Sequence, residues 1–381
     1  MPKDKRFRIM VVGLRGFPNI QGGIETHAQH LYPELVKLGC DVEVLVRKPY
    51  VEKHSYTWQG IRMKALWSPT STGLEALVHS FLGVCYAIIH RPDVLHIHAI
   101  GPALFTPLAR LFGLRVVMTH HGMDYQRQKW GGFAKFILRL GEKFGVRYSH
   151  ACITVSKSIC SFLQDTYGNH YQIQAIHNGV NISNLLQSQA ILNTFGLEPQ
   201  KYFLMVSRFV PEKRQDDLIE AFLASDKKEK RKLVLVGDDT SGSKAYLDKI
   251  KRLANQHTNI VLTGFQAGEP LAELYTHAEC FFLPSSHEGL PIALLEALSY
   301  GLYAVVSDIP AHLEMSLEDK HYFKLGNIEE LTERMENIPQ GGLNSADKKD
   351  VIAWVEKYFD WAEIASKTLV VFEALYEEDK E

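Results

Sequence analysis

The sequence predicts an α/β protein made of two doubly wound parallel sheets, and three observations carry that expectation. Short β-branched runs alternate with helical patterns along the chain, the arrangement of parallel sheets covered by helices. The 381 residues suit two domains at roughly 100–200 residues each. Each half holds enough strand candidates for a sheet of its own.

In the first half, Arg8–Val12, Asp41–Val46, Val94–His98, Val116–Thr119 and Ala151–Val155 read as strands. Glu25–Leu38, Leu74–Ile89, Pro102–Phe112, Phe133–Tyr148 and Lys157–Tyr167 read as helices. The segment Gln174–Gln200, with Asn178, Gly179, Asn181 and Asn184, has little strand character and is placed as the linker. In the second half, Tyr202–Ser207, Lys232–Val236, Ile260–Thr263, Cys280–Leu283 and Ala304–Ser307 read as strands. Asp216–Leu223, Lys244–Asn255, Leu271–His277 and Pro291–Tyr300 read as helices. Pro339–Asp347 is expected to be an exposed loop, and Asp360–Glu378 has helical spacing.

Composition narrows the function classes. Hydrophobic residues make up 46% and charged residues 23%, ordinary for a globular protein. A formal net charge of −2 provides no basic field for nucleic acid. The 5 Cys are scattered and form no C-x-x-C, so neither a disulfide framework nor a zinc site is expected. The apolar run after Arg8 is too short for a signal peptide, and Leu74–Ile89 is broken by Glu75 and His79. A cytoplasmic protein is expected, with contact at the inner face of the cell membrane left open.

In open parallel sheets, ligands bind beyond the carboxyl ends of the strands, so the residues just after each strand matter most. Ser285–Glu296 follows a strand and opens a helix that Pro291 can start as its first residue, with Gly301 past its end. Glu288 falls in the loop and Glu296 about five residues into the helix, roughly 7–8 Å along its axis. Two carboxylates so placed can hold hydroxyls of two parts of one extended ligand. The free N–H groups at the helix start suit its phosphate. A surface helix with a solvated Glu296 fits the spacing equally well.

Arg208 and Lys213 follow the first strand of the second half. Two cations there suit a diphosphate, Arg by paired hydrogen bonds and Lys as a point charge. Solvated surface charge is the plainer alternative. In the first half, Gly13-Leu14-Arg15-Gly16 and Gln21-Gly22-Gly23-Ile24-Glu25 lie between strand and helix. Glycines there allow close approach to phosphate or sugar, though tight turns also favour them. The loop does not spell G-x-G-x-x-G, and the second strand ends on Arg47-Lys48, which disfavours a nicotinamide cofactor without excluding its 2′-phosphorylated form. His121 follows another strand, and the nearby Asp124 could tune or orient it. A structural histidine is the alternative there, and at least one of His96 and His98 reads as structural. The 17 His show no metal-site spacing, and there is no Asp-x-Asp, so no metal ligand is assigned.

With these residues in their order, the sequence resembles the family 4 glycosyltransferases of the GT-B fold. The resemblance rests on Glu288-x7-Glu296, Arg208-x4-Lys213, Gly22-Gly23-x-Glu25 and His121-Gly122. His177-Asn178-Gly179-Val180 and Ser307-Asp308-Ile309-Pro310 followed by Glu314 add to it. The N-terminal glycine-rich stretch is similar to bacterial members that build surface or extracellular polysaccharides, among them rhamnosyl- and glucosyltransferases. Ser207 stands where the family usually has Gly, and Tyr303 where it often has Pro.

The resemblance implies two Rossmann-like domains facing a central cleft. Residues 1–180 would be the acceptor domain and 181–361 the donor domain, with a terminal helix over 362–381 packing back on the first. It implies a retaining hexosyltransferase that takes sugar from a nucleotide-diphosphate donor and needs no metal or other cofactor. Arg208 and Lys213 would bind the diphosphate. Glu288 would contact the sugar, with the amides near Gly289 and Leu290, and Glu296 would hold the ribose. His121 would touch the sugar near the reaction centre, Gly23 would lie under the phosphate with Gly22 beside it on the donor side, and Glu25 and Asp124 would lie towards the acceptor. The acceptor would be a glycan or lipid-linked glycan. A nucleotide-sugar epimerase on the same architecture and a non-catalytic nucleotide-sugar binder are the alternatives. In Phe133–Arg147, Lys135, Arg139 and Lys143 recur at four-residue spacing beside Phe136, Ile137, Leu140 and Phe144. That basic amphipathic helix could rest on an anionic bilayer. A core helix with a solvated basic face is the other reading.

Overall fold

Buried, apolar strands order both halves of the molecule. The computed structural model describes residues 6–71, 73–127, 130–169, 171–182, 185–238 and 244–377. Asn184 of the expected linker and the last four residues of the expected terminal segment lie outside that set. The chain divides into unit 1, Met1–Gly179 with Trp361–Glu381, and unit 2, Val180–Asp360. These junctions lie one residue before those expected at 180/181 and 361/362.

Unit 1 holds eight strands: β1 (Arg8–Val12), β2 (Asp41–Arg47), β3 (Ser55–Trp58), β4 (Ile61–Leu66), β5 (Val94–His98), β6 (Val116–His120), β7 (Ala151–Thr154) and β8 (Ile173–Ala175). Their order is β3-β4-β2-β1-β5-β6-β7-β8. All pairs are parallel except β3–β4. Every residue of β5 and β6 is buried, as expected for strands covered on both faces.

The sequence expectation lacked β3, β4 and β8. Gln59 and Gly60 both have positive φ, the conformation of a two-residue hairpin turn. Ile61, Met63 and Ala65 then alternate inward along β4. The expected linker is corrected at both ends: Gln174 and Ala175 belong to β8, and Ala190–Thr194 is helical. The helix Trp361–Glu377 belongs to unit 1, where Trp361, Ile364, Phe372 and Leu375 join the core that Leu31, Tyr32 and Leu35 also build. A Cβ on Gly179 would lie 2.6 Å from the Trp361 ring, so this crossing point has no room for a side chain.

Unit 2 holds β9 (Tyr202–Val206), β10 (Lys232–Val236), β11 (Ile260–Gly264), β12 (Cys280–Leu283), β13 (Tyr303–Ser307) and β14 (Tyr322–Phe323). The sheet is parallel throughout, in the order β11-β10-β9-β12-β13-β14. Chain direction across the sheet therefore reverses between β9 and β12, a topological switch point. In unit 1 the corresponding reversal lies between β1 and β5. The exposed loop expected at Pro339–Asp347 gives way at Ser345 to the helix Ser345–Phe359, capped by Asn344. Both units are thus Rossmann-like α/β layers, and the loops after β9, β12, β1 and β6 carry the residues of interest.

Candidate active site

At the switch point of unit 2, the loops after β9 and β12 are tied together. Ser286 donates from its backbone N–H to the Glu212 carbonyl at 2.8 Å. Lys213 pairs with Glu288 across the two loops. Burial pushes the Glu288 carboxyl up, but the Lys213 ammonium and neighbouring groups outweigh it and leave its pKa below the usual value. Arg208 is half-buried in the first of these loops. Gln215 fixes that loop from the following helix, donating to Ser207 Oγ at 2.9 Å and to the Arg208 carbonyl at 2.8 Å. Ser207, in place of the family's usual Gly, thus supplies an acceptor that holds the loop. Tyr303 is buried with its ring 4.4 Å from that of His321.

Glu288, Gly289 and Leu290 lead into the helix Ile292–Ser299. Pro291 precedes the helix as its cap, with an extended backbone, where the sequence placed it as the first helical residue. The pyrrolidine ring fixes φ near the helical value, but ψ is 108°, so the turn begins one residue later. Gly301, at φ +67°, ends it. Glu296 lies on this helix and accepts a hydrogen bond from Tyr275 at 2.9 Å. Burial raises its carboxyl to about 7, and the Tyr275 hydroxyl offsets part of that rise. An acid with a pKa near neutrality, on the helix that follows a strand's carboxyl end, is a site signal in its own right.

Unit 1 builds its switch point from glycines and imidazoles. Gly13 has φ +113°, and a Cβ there would lie 2.3 Å from the His98 carbonyl oxygen. Glu25 is buried and accepts from the Arg15 N–H at 3.2 Å. A Cβ on Gly22 would lie 2.0 Å from Glu25 Oε2, whereas one on Gly23 would meet nothing within 4 Å. Gly22 thus serves the packing of the loop, and Gly23 leaves open space at the helix start. Arg47, the cation considered for a 2′-phosphate, is buried and paired with Glu75 at 2.9 Å.

His121 follows β6. Its backbone turn is fixed by His120, whose Nδ1 accepts from the Gly122 N–H at 3.2 Å and whose Nε2 donates to the buried Glu142 at 3.0 Å. The expectation that Asp124 tunes His121 is corrected. Asp124 pairs with Arg127 at 2.9 Å, and His121 Nε2 lies 2.8 Å from His98 Nδ1 instead. The His27 ring meets His121 edge-on at 4.9 Å, while its Nδ1 is 2.9 Å from Asn178 Oδ1. His96 and His98 are both fully buried and both bonded to Tyr32. Burial lowers His27 to about 4 and His96 to about 3, and takes His98 and His121 well below the usual value. These are neutral rings that can give or take hydrogen bonds without carrying charge.

The structure brings together what spacing in the sequence could not. One nitrogen each of His27, His98 and His121 lies within 4.8 Å of the others, a set drawn from three separate elements. Tyr32, His27, Tyr275, Gln215 and Glu142 were all absent from the sequence reading. The only sequence signal for Tyr32 is its position on the buried face of a helix, shared by any core tyrosine.

Known proteins resemble the chain along most of its length. Residues 21–184 match the family model described as Glycosyltransferase Family 4, and residues 189–348 match that described as Glycosyl transferases group 1. Together they take in most of the chain. A glycosyltransferase of Methanocaldococcus jannaschii is 26% identical over 94% of this chain and 96% of its own. A UDP-Gal:α-D-GlcNAc-diphosphoundecaprenol α-1,3-galactosyltransferase of Escherichia coli is 27% identical over 57% of this chain and 58% of its own. Among solved structures, the sucrose-phosphate synthase of Thermosynechococcus elongatus has a TM-score of 0.83 at 18% identity, covering 98% of this chain and 100% of that one. Anabaena HepE in complex with UDP and glucose has a TM-score of 0.77 at 16% identity, covering 96% and 100%. With both family models matched in order and both sheets built as the GT-B fold requires, the chain belongs to the family 4 glycosyltransferases, enzymes that transfer sugar from nucleotide donors.

Proposed function

We propose that the enzyme transfers a hexose from a UDP-sugar to a hydroxyl of a lipid-linked glycan, retaining anomeric configuration, in the synthesis of bacterial surface or extracellular polysaccharide. The observation that carries this reading is the Lys213–Glu288 pair at the β9/β12 switch point. It sets a cation for phosphate beside a carboxylate for sugar hydroxyls. In unit 2, Arg208 and Lys213 hold the diphosphate, Glu288 and the amides of Gly289 and Leu290 meet the sugar, and Glu296 accepts from the ribose. In unit 1, His121 meets the transferred sugar, the open space at Gly23 takes the donor phosphate, and Glu25 shapes the acceptor side through the loop it holds.

The bond from the anomeric carbon to the donor phosphate breaks as the acceptor oxygen bonds to the same face. The acceptor's proton passes to the departing diphosphate. Arg208 and Lys213 stabilise the charge that grows there, and no metal is assigned a part. The nucleotide and the lipid-linked acceptor are proposed from the Escherichia coli relative.

Membrane contact is part of this proposal. On the helix Gly132–Tyr148, which buries Gly141, Gly145 and Val146, Phe133 and Phe136 are 79% and 60% exposed. Arg139, Lys143 and Arg147 are exposed, and the helix's one acid, Glu142, is buried against His120. An apolar end with a cationic flank suits an anionic bilayer. Among the described residues, no helix is long and apolar enough to cross a membrane.

The test is transfer by purified protein with a panel of nucleotide sugars and a polyprenyl-diphosphate glycan. Glu288→Ala and Arg208→Ala should each lower the rate by on the order of 10²-fold with the fold intact. Wild-type rates in both would sink the assignment, and a product of inverted configuration would sink retention. Release of UDP only when acceptor is present separates transfer from epimerisation.

A further inference from the structure

Five side chains of unit 1 form one unbranched hydrogen-bonded chain. Thr119 Oγ1 lies 2.7 Å from His96 Nε2, and His96 Nδ1 lies 2.8 Å from Tyr32 Oη. Tyr32 Oη is bonded in turn to His98 Nε2, and His98 Nδ1 lies 2.8 Å from His121 Nε2. Thr119, His96, Tyr32 and His98 are at most 1% exposed. His121, at the open end, is half-buried.

The donor in each of these bonds is determined by counting protons. Burial keeps the imidazoles neutral and raises the Tyr32 phenol well above its usual value. A neutral imidazole has one N–H and one bare nitrogen, and a hydroxyl has one proton. Tyr32 therefore donates to His96 or to His98, and either choice propagates along the whole chain. If Tyr32 donates to His98, then His98 Nδ1–H donates to His121 Nε2, and the His121 proton sits on Nδ1. If Tyr32 donates to His96, every bond reverses and His121 Nδ1 is bare.

Thr119 decides between the two. The one hydrogen-bond partner of its hydroxyl among the described residues is His96 Nε2. The reversed pattern would leave the Thr119 hydroxyl proton buried without an acceptor, at a cost of about 1–3 kcal/mol. The satisfied pattern runs from Thr119 through His96, Tyr32 and His98 to His121.

We propose that Thr119 and Tyr32 are positioning residues that fix the tautomer of His121, so that it presents a neutral Nδ1–H donor to an oxygen of the substrate. The His120–Glu142 clamp on Gly122 holds the backbone of the same turn, so this relay need only set the proton. The functional half of the proposal rests on His121 as a substrate contact. The tautomer itself does not.

The experiment is an imidazole 1H–15N correlation spectrum of the full chain labelled on histidine, with the His121 signals identified by their loss in His121→Gln. Wild type should show protonated Nδ1 and bare Nε2. Thr119→Val, similar in shape but without the hydroxyl, should move His121 towards the other tautomer and lower transfer about 10-fold, the worth of one hydrogen bond. Thr119→Ser should restore both, and Tyr32→Phe should uncouple His121 from position 119. A protonated Nε2 in wild type overturns the proposal, whatever the variants do. So does a single equivalent of zinc that shifts the His27, His98 and His121 nitrogens together, because a metal there would take the nitrogens the relay uses. A changed tautomer with unchanged transfer leaves the relay standing and removes the His121 contact instead.

Discussion

The two units share a sheet architecture but fill their switch points with opposite chemistry. Unit 2 places Arg208, Lys213, Glu288 and Glu296 there, charged or poised to be charged. Unit 1 places glycines and neutral imidazoles there, with the Glu25 side chain tied to the loop backbone. A diphosphate needs formal charge held in place. A sugar with no charge needs oriented donors and acceptors and room for its ring. The difference predicts that substitutions in unit 2 act through electrostatics and depend on pH, while those in unit 1 act through geometry and do not.

The largest effect should come from breaking the ion pair. Lys213→Met removes the cation and leaves Glu288, only 10% exposed, without its ion-pair partner. Transfer should fall by on the order of 10²-fold or more. Stability should fall by about 2 kcal/mol, less than for a fully buried pair. Adding Glu288→Gln to that variant should recover the stability without the activity. A double-mutant cycle of melting and rate checks both. Recovery of both together would show that the pair is structural and that the contrast between the units is false.

A smaller effect, resolved by pH, belongs to Glu296. Its carboxyl is raised to about 7 by burial, so the folded state holds this proton more tightly than the unfolded chain does. Folding stability should therefore fall as pH rises from the ordinary glutamate range to about 7, then level off. Glu296→Gln should abolish that slope and melt higher at pH 8, by on the order of 1–3 kcal/mol. Affinity for UDP should rise through the same window in wild type, as the carboxylate forms, and stay low in the variant. Calorimetric titrations at pH 6 and pH 8 distinguish the cases. His121→Gln should keep the inflection near 7, because the imidazoles are already neutral. Loss of the inflection in that variant would reassign the titration to unit 1.

What could be read from the sequence follows the same division. The unit 2 residues lie in short contiguous runs directly after β9 and β12, so motif and strand ends together locate them. Spacing alone left Glu296 open to being a solvated surface residue. Its half-buried place and its Tyr275 partner, 21 residues away, became visible only in the fold. The unit 1 cluster draws on the Gly23–Lys37 helix, β5 and the turn after β6, and no local pattern links them. Asp124, the neighbour in sequence, was the wrong partner, and His98, 23 residues away, was the right one. In the fold, strand candidates with buried β-branched runs were legible. The β3–β4 hairpin was missed because Gln-Gly is a weak turn signal, and the helix Ser345–Phe359 because its start sits in a polar, glycine-bearing stretch.

The smallest expected change in stability belongs to the unit 1 glycines, and it separates packing from ligand contact within a single dipeptide. Gly22→Ala would put a Cβ 2.0 Å from Glu25 Oε2. That would push the carboxylate off the Arg15 N–H and cost about 1–2 kcal/mol. Gly23→Ala places its methyl in open space at the start of the helix Gly23–Lys37, so melting should move by no more than about 0.5 kcal/mol. If a phosphate or sugar approaches the backbone there, transfer should still fall roughly 10-fold or more, because a displaced substrate loses its reactive geometry. The informative outcome is therefore a protein with unchanged melting and impaired transfer. Unchanged transfer in Gly23→Ala would mean that no ligand comes near this turn. The glycine requirement would then end with Gly22 and the packing of Glu25.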